Sequence, residues 1–488
     1  MAVTDQFKRA LAAIVGASAV VVTPEGRLTY ECDMHTFHKG APDVVVLPTT
    51  ADQVVRIVRL CRDAGVPVVP RGSGTGLIGG AMAPAGGVMV ATTRMNRILA
   101  IDVPNRCATV EPGLINLSLS QATRPHRLFF APDPSSQMVS SIGGNVATNA
   151  GGPHCLKYGV TVNHVLGLQV ATGAGELVWL GGMAHEPHGY DLAGVVVGSE
   201  GTLGLVTAVV VRLVPVPEAV KTLLASFSSI EDASEAVSAI IAEGIIPAAL
   251  EMLDEVMIRA IEEGVHAGYP KGAGAVLLIE LDGPVAEIEV QGRRVAAICR
   301  ERLALEVRVA ADEAERGLLW KGRKEAAGAV GRLAPNWLLQ DAVVPRSRLP
   351  EIMRTMVSIA HRHRIVLANV FHAGDGNLHP LILYDDQSPD ELARAQLVND
   401  ELLHACLALG GSVSGEHGIG VDKAKSLPLQ FAPADLDFMA RLRRVFDPNG
   451  IMNPGKILPS GSACGEGLRP DPASRAVRRP ERLGDAWI

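Results

Sequence analysis

Three glycine-rich loops crowd the first 204 residues of this chain, and they restrict what it can fold into more than any other feature. They are Arg71-Gly72-Ser73-Gly74-Thr75-Gly76, the stretch from Pro132 to Gly152, and Gly198-Ser199-Glu200-Gly201-Thr202-Leu203-Gly204. Glycine lets the backbone reach φ > 0 and approach a ligand closely, and successive free N–H groups can then point at phosphate oxygens. One such loop is equally well explained by a tight turn; three in one region need a common cause. Gly74-Thr75-Gly76-Leu77-Ile78-Gly79 matches G-x-G-x-x-G after a strand, but the glycines and proline of residues 79–87 prevent the long helix that a Rossmann turn must open. A nicotinamide site of that kind is therefore disfavoured. The second loop is nearly uncharged and rich in small hydroxyl and amide side chains, which suits a large planar ligand lying along backbone.

Around these loops the pattern reads strand (43–47), helix (51–64) and strand (66–69), the signature of parallel βαβ winding. A strand over 205–213 ends at Val214-Pro215-Val216-Pro217; an amphipathic helix over 229–244 and a strand over 275–281 follow. A boundary is expected there, giving domains at 1–217 and 218–459. Residues 460–488, rich in Arg, Pro and Gly without apolar periodicity, are expected to form a mobile tail. A net charge of -7 with no basic stripe excludes an electrostatic nucleic-acid footprint. The seven cysteines are scattered without a C-x-x-C, so no disulfide framework or intrinsic iron–sulfur cluster is expected, and the compartment should be reducing. The N-terminus lacks a signal h-region, and every apolar run is too interrupted to span a membrane. A cytoplasmic location is expected.

Six segments in order carry a family resemblance: PRGSGTGLIGG, PDPSSQMVSSIGGNVATNAGG, GYDLAGVVVGSEGTLGLVT, NVFHAGDGNLHP, SGEHGIG and FDPNGIMNPGKILP. They resemble the FAD-linked 2-hydroxy-acid dehydrogenases of the vanillyl-alcohol-oxidase fold, and are most similar to the glycolate oxidase flavoprotein-subunit type, from about Leu47 to Pro459. The resemblance implies an α+β protein: a p-cresol-methylhydroxylase-type FAD-binding domain of two α+β subdomains, then an α+β cap with an antiparallel sheet. It places Arg71, Gly72, Ser73, Gly74, Thr75 and Gly76 at the FAD pyrophosphate. Ser141, Gly144, Thr148 and Gly152 would lie along the cofactor, and Glu200, Gly201 and Val206 near its nucleotide end. The first loop contains neither His nor Cys, so FAD is expected to be held non-covalently.

Farther on, His372 and His379 bracket the turn Gly374-Asp375-Gly376, and Glu416-His417 sits in another glycine-flanked loop. Positions seven apart on a straight strand face opposite ways, but a bend at the glycines can bring both imidazoles together. A lone pair of loop histidines more often caps backbone. With Glu416 added, two imidazoles and a carboxylate make a usual divalent site, for zinc, manganese or iron. Asp375, between two glycines, is better read as the turn residue. Oxidising a 2-hydroxy acid means removing a hydroxyl proton and a hydride from one carbon. A metal lowers the hydroxyl pKa, His417 would accept the proton, and flavin would accept the hydride.

The resemblance assigns Arg323, in Trp320-Lys321-Gly322-Arg323-Lys324, to the substrate carboxylate; a planar guanidinium grips it in two places where Lys321 or Lys324 could not. In D-2-hydroxyglutarate dehydrogenases a threonine, a lysine and an asparagine hold the second carboxylate, where this chain carries Ala327, Leu339 and Leu381. A short acid, glycolate ahead of D-lactate, is therefore expected. The resemblance also implies two companion subunits, one flavin-binding and one iron–sulfur, with electrons passed to membrane quinone and peripheral association at the inner face of the cell membrane. The competing readings are a stand-alone D-lactate dehydrogenase, a D-2-hydroxyglutarate dehydrogenase and a silent flavin-binding scaffold.

Overall fold

The computed structural model describes residues 3–34, 39–183 and 189–459; the tail expected over 460–488 lies outside them. The chain forms two compact units. One takes the residues up to Gly152, then Gly159–Val216 and the segment from Glu416; the other takes Pro153–Tyr158 and Pro217–Gly415.

The first unit contains two main sheets. Strand Val44–Val46, helix Ala51–Ala64 and strand Val68–Arg71 form the expected βαβ turn, with Val88–Ala91 inserted between the two strands and parallel to both. Thr50 caps the helix at Gln53 N–H, Gly65 closes it in the left-handed region, and Val54, Ile57, Val58 and Cys61 form its buried stripe. The second sheet is antiparallel, in the order Ile98–Asp102, Cys107–Val110, Leu205–Arg212, Val165–Ala171, Leu177–Gly181. The late segment of the chain returns here because Val68 exchanges backbone bonds with Ile451 and Asn453, placing Met452 beside the βαβ sheet.

The glycine-rich stretch read as one long loop is helical after Ser141: Ile142–Thr148 is a short helix. Ser141 caps it at Gly144 N–H, Asn149 ends it at φ 51°, and Ile142 and Val146 are buried beneath it. Caps and burial outweigh the poor helix propensity of Gly143 and Gly144.

In the second unit one antiparallel sheet runs Glu306–Val309, Ala219–Phe227, Ala275–Gly283, Ala249–Asp254, Val366–His372, Asn377–Tyr384, Asn336–Leu339, with Ala342–Val343 also on the sixth strand. Residue alternation sorts this sheet into two faces. Leu223, Leu250, Met252, Leu277, Ile279 and Phe371 pack with helices Ile230–Ala242, Val285–Glu301, Leu349–His363 and Pro389–Ala408. Leu253, Leu278, Ala368 and Leu381 turn the other way, toward helices Glu255–Gly264 and Glu313–Lys324. The second face carries the chemistry. Among the described residues no helix is long and apolar enough to cross a membrane.

Candidate active site

In the first unit the glycine loops gather at the end of strand Val68–Arg71. A Cβ on Gly72 would meet Ser141 Oγ at 2.3 Å, so only glycine lets the first loop lie against the start of the second. Asn453 donates from Nδ2 to Gly80 O at 3.0 Å and Glu200 O at 2.7 Å, tying the third loop to the first. Gly72 through Gly76 are half-buried and Ser141 is buried. Closely packed backbone with glycines that admit no Cβ fits a cofactor laid along it.

Two of the expected cofactor residues have other partners. The buried Arg71 guanidinium donates from Nη1 to Cys32 O at 2.9 Å and Ala81 O at 3.3 Å, so it braces the loop from behind. The Glu200 carboxylate accepts from Ile419 N–H at 2.6 Å and Gly420 N–H at 2.8 Å. Burial pushes Glu200 up to about 7 despite these donors. Lys456, fully buried, donates to Met82 O at 2.7 Å and is pulled down to about 8 by burial. The remaining cofactor candidates lie in the same unit: Thr148 in the short helix, Gly152 just beyond it, Gly201 in the third loop, and Val206 on the strand after it.

In the second unit the turn at 373–376 makes a hairpin in which Val370 pairs with His379 and His372 with Asn377. His379 is therefore diagonal to His372 on one face, and the ring centroids lie 5.1 Å apart at 86°. Both imidazoles are buried. The next strand places Glu251 directly opposite His372, and His372 Nδ1 lies 2.8 and 3.0 Å from its two oxygens. Arg323 donates from Nε to Glu251 Oε2 at 2.5 Å. Burial alone would raise the Glu251 carboxyl, but Arg323 and His372 outweigh it and hold it below the ordinary range.

Helix Glu313–Lys324 brings Arg323 here because Arg316, Trp320 and Arg323 fall at i, i+4 and i+7 on one stripe. The first two reach another buried carboxylate, Glu280, on strand Ala275–Gly283. Arg316 Nε donates to Glu280 Oε2 at 3.0 Å and Trp320 Nε1 at 2.5 Å; Thr222 Oγ1 adds a bond at 3.0 Å and His154 Nε2 lies 3.2 Å from Oε1. Burial would raise this carboxyl too, yet the bonds from His154 and Arg316 hold it at about 2. A third carboxylate, Asp341, accepts from Ser414 Oγ at 2.7 Å and Gly415 N–H at 3.0 Å, and lies 3.5 Å from His379 Nε2. A Cβ on Gly415 would meet Asn377 Oδ1 at 2.1 Å, so glycine is needed at this approach. Glu416 and His417 are the next two residues, where the chain passes back to the first unit; His417 Nε2 lies 3.9 Å from Glu416 Oε1.

Leu339 pairs directly with Leu381, which shares the face of His379, whereas Ala327 is exposed, one turn beyond Arg323. The sequence reading missed Glu251, Glu280 and Asp341. A lone acidic residue inside an apolar strand, as in ALEMLD and AVLLIELDG, was the available signal.

Solved structures with this fold include p-cresol methylhydroxylase (TM-score 0.77, 18% identity, 92% of this chain and 96% of that one). Another is the 4-ethylphenol oxidase of Gulosibacter chungangensis (TM-score 0.75, 20% identity, 93% and 97%). The class is thus the p-cresol-methylhydroxylase type of flavoprotein fold. Residues 42–181 match an FAD binding domain, and residues 216–457 match the C-terminal domain of FAD linked oxidases. Glycolate oxidase subunit GlcD of Escherichia coli (strain K12) is 46% identical over 92% of this chain and 90% of its own length. GlcD of Bacillus subtilis (strain 168) is 42% identical over 93% and 97%. The mitochondrial D-lactate dehydrogenase [cytochrome] of Arabidopsis thaliana is 34% identical over 87% and 75%. The chain belongs to the FAD-linked oxidases and is an FAD-dependent oxidoreductase.

Proposed function

We propose that this protein oxidises glycolate to glyoxylate, residues 1–217 holding FAD and residues 218–459 the substrate. The observation that carries the reading is the second unit's sheet face, where a buried arginine and a buried imidazole are hydrogen-bonded to one carboxylate, Glu251, and a second buried imidazole, His379, stands edge-on to the first. That set fits a small anion with an adjacent hydroxyl. His372, His379 and Glu416 would hold a divalent zinc, manganese or iron ion; the donor set is right for one, with His372 Nδ1 already turned to Glu251. When bound, FAD supplies a two-electron acceptor and the metal polarises the substrate hydroxyl. Arg323 grips the carboxylate and His417 takes the hydroxyl proton.

The FAD contacts would come from the backbone of Gly72, Ser73, Gly74, Thr75 and Gly76, with Ser141, Gly144, Thr148, Gly152, Gly201 and Val206 beside them. Arg71 and Glu200 would shape these loops through the bonds described above. The two GlcD relatives are named as subunits, which supports assembly with companion chains; the proposal takes these as one flavin-binding and one iron–sulfur subunit. A cytoplasmic chain associated peripherally with the membrane through those companions completes the proposal. A stand-alone D-lactate dehydrogenase is the second reading, favoured by the 34% identical plant relative.

Turnover of the purified chain with a redox dye, alone and with companions, tests the proposal. Glycolate as best substrate with companions supports it. D-lactate as best substrate, without companions, replaces it with the second reading; no turnover of either acid rejects both.

A further inference from the structure

Within the second unit Glu251 touches both groups that the proposed reaction needs, and its geometry limits what each can do. Its side chain is 0% exposed. Strand register sets it opposite His372, and both its oxygens lie within 3.0 Å of His372 Nδ1. Oxygen Oε2 also takes Arg323 Nε and Nη2, each at 2.5 Å. A carboxylate against a guanidinium is ionised and can only accept, so the hydrogen of a neutral His372 must sit on Nδ1. Its lone pair is then on Nε2. Arg323, with Nε and Nη2 committed to Glu251 and Nη2 also 3.4 Å from His372 Nδ1, has Nη1 left to present to an anion.

We propose that Glu251 is a positioning residue for both substrate capture and metal binding: it fixes His372 as an Nε2 ligand and fixes Arg323 so that its Nη1 end serves the substrate carboxylate. This rests on the functional reading above. A buried ion pair is poor evidence of a stabilising role, since apolar residues of the same volume often do as well. Glu280 supplies the contrast. It lies on the same face and takes donors from four residues against two, but none of its partners belongs to the proposed site.

The test compares Glu251→Gln, Glu280→Gln and His372→Ala in the FAD-loaded full chain, measuring zinc affinity by competition with a chromophoric chelator and, separately, KM for glycolate. A glutamine has one acceptor oxygen and cannot serve both partners. Glu251→Gln is expected to weaken zinc binding by about 10- to 100-fold and raise KM, while Glu280→Gln leaves zinc affinity unchanged. If Glu251→Gln does not fold, the pair Glu251→Met with Arg323→Met, which removes both charges and leaves His372 Nδ1 without its acceptor, is measured against the same chelator, with the same loss expected. Zinc affinity unchanged in the Glu251 variant but lost in His372→Ala overturns the positioning role and leaves the functional reading standing. Zinc affinity unchanged in both overturns the metal site itself.

Discussion

Removing the arginine of the Glu251–Arg323 pair separates stability from substrate binding. Arg323 is 6% exposed and Glu251 0%, so Arg323→Ala leaves a buried carboxylate with only His372 as partner. Breaking a buried pair from one side costs about 3–5 kcal/mol of folding stability. A charge-assisted bond to the substrate is worth about 1.5–3 kcal/mol, which raises KM about 10- to 100-fold. The double variant Arg323→Ala with Glu251→Ala carries no orphan charge, so urea unfolding followed by tryptophan fluorescence should recover part of the stability. Its KM for glycolate, from steady-state dye reduction, should stay high. A stable double variant with KM within about twofold of the parent would show that Arg323 is not the carboxylate anchor.

Four further outcomes follow from the same geometry. Glu280 is held at about 2 against an ordinary 4.5, so its roughly 3 kcal/mol is fully present above about pH 4.5 and lost as pH falls toward 2. Glu280→Gln should flatten that part of the acid-unfolding curve, and an unchanged curve would contradict the assignment. Glu200→Gln should lower turnover more than FAD affinity, because its oxygens hold Ile419 and Gly420; loss of FAD alone would return Glu200 to the cofactor. A substrate panel should rank glycolate and D-lactate at least about 100-fold above D-2-hydroxyglutarate in kcat/KM, since a second carboxylate against Leu339 and Leu381 would be buried unpaired. Acid precipitation of the holoprotein should leave flavin in the supernatant; flavin retained in the pellet would mean a covalent link.

The parts of the site legible in the sequence are those whose chemistry is written locally. The glycine loops, the histidines flanking Gly374-Asp375-Gly376 and the Glu416-His417 pair are short motifs, and the hairpin needed to join the two imidazoles follows from the turn residues between them. The supporting carboxylates depend on pairing across strands far apart in sequence: Glu251 meets His372 over 121 residues and Asp341 meets Ser414 over 73. No local pattern encodes such a register. The resemblance puts Arg71 at the FAD pyrophosphate, while its bonds to the carbonyls of Cys32 and Ala81 join segments that no local pattern links. At 142–148, a serine cap and two buried side chains made a helix where composition suggested open loop.

The most direct test of the account is an anaerobic mixing experiment on the FAD- and metal-loaded chain, following the visible flavin absorbance after addition of glycolate. Bleaching by glycolate that is lost in His417→Ala, with FAD still bound, is the result expected. A flavin that stays oxidised with both glycolate and D-lactate, with companion subunits present, would contradict it.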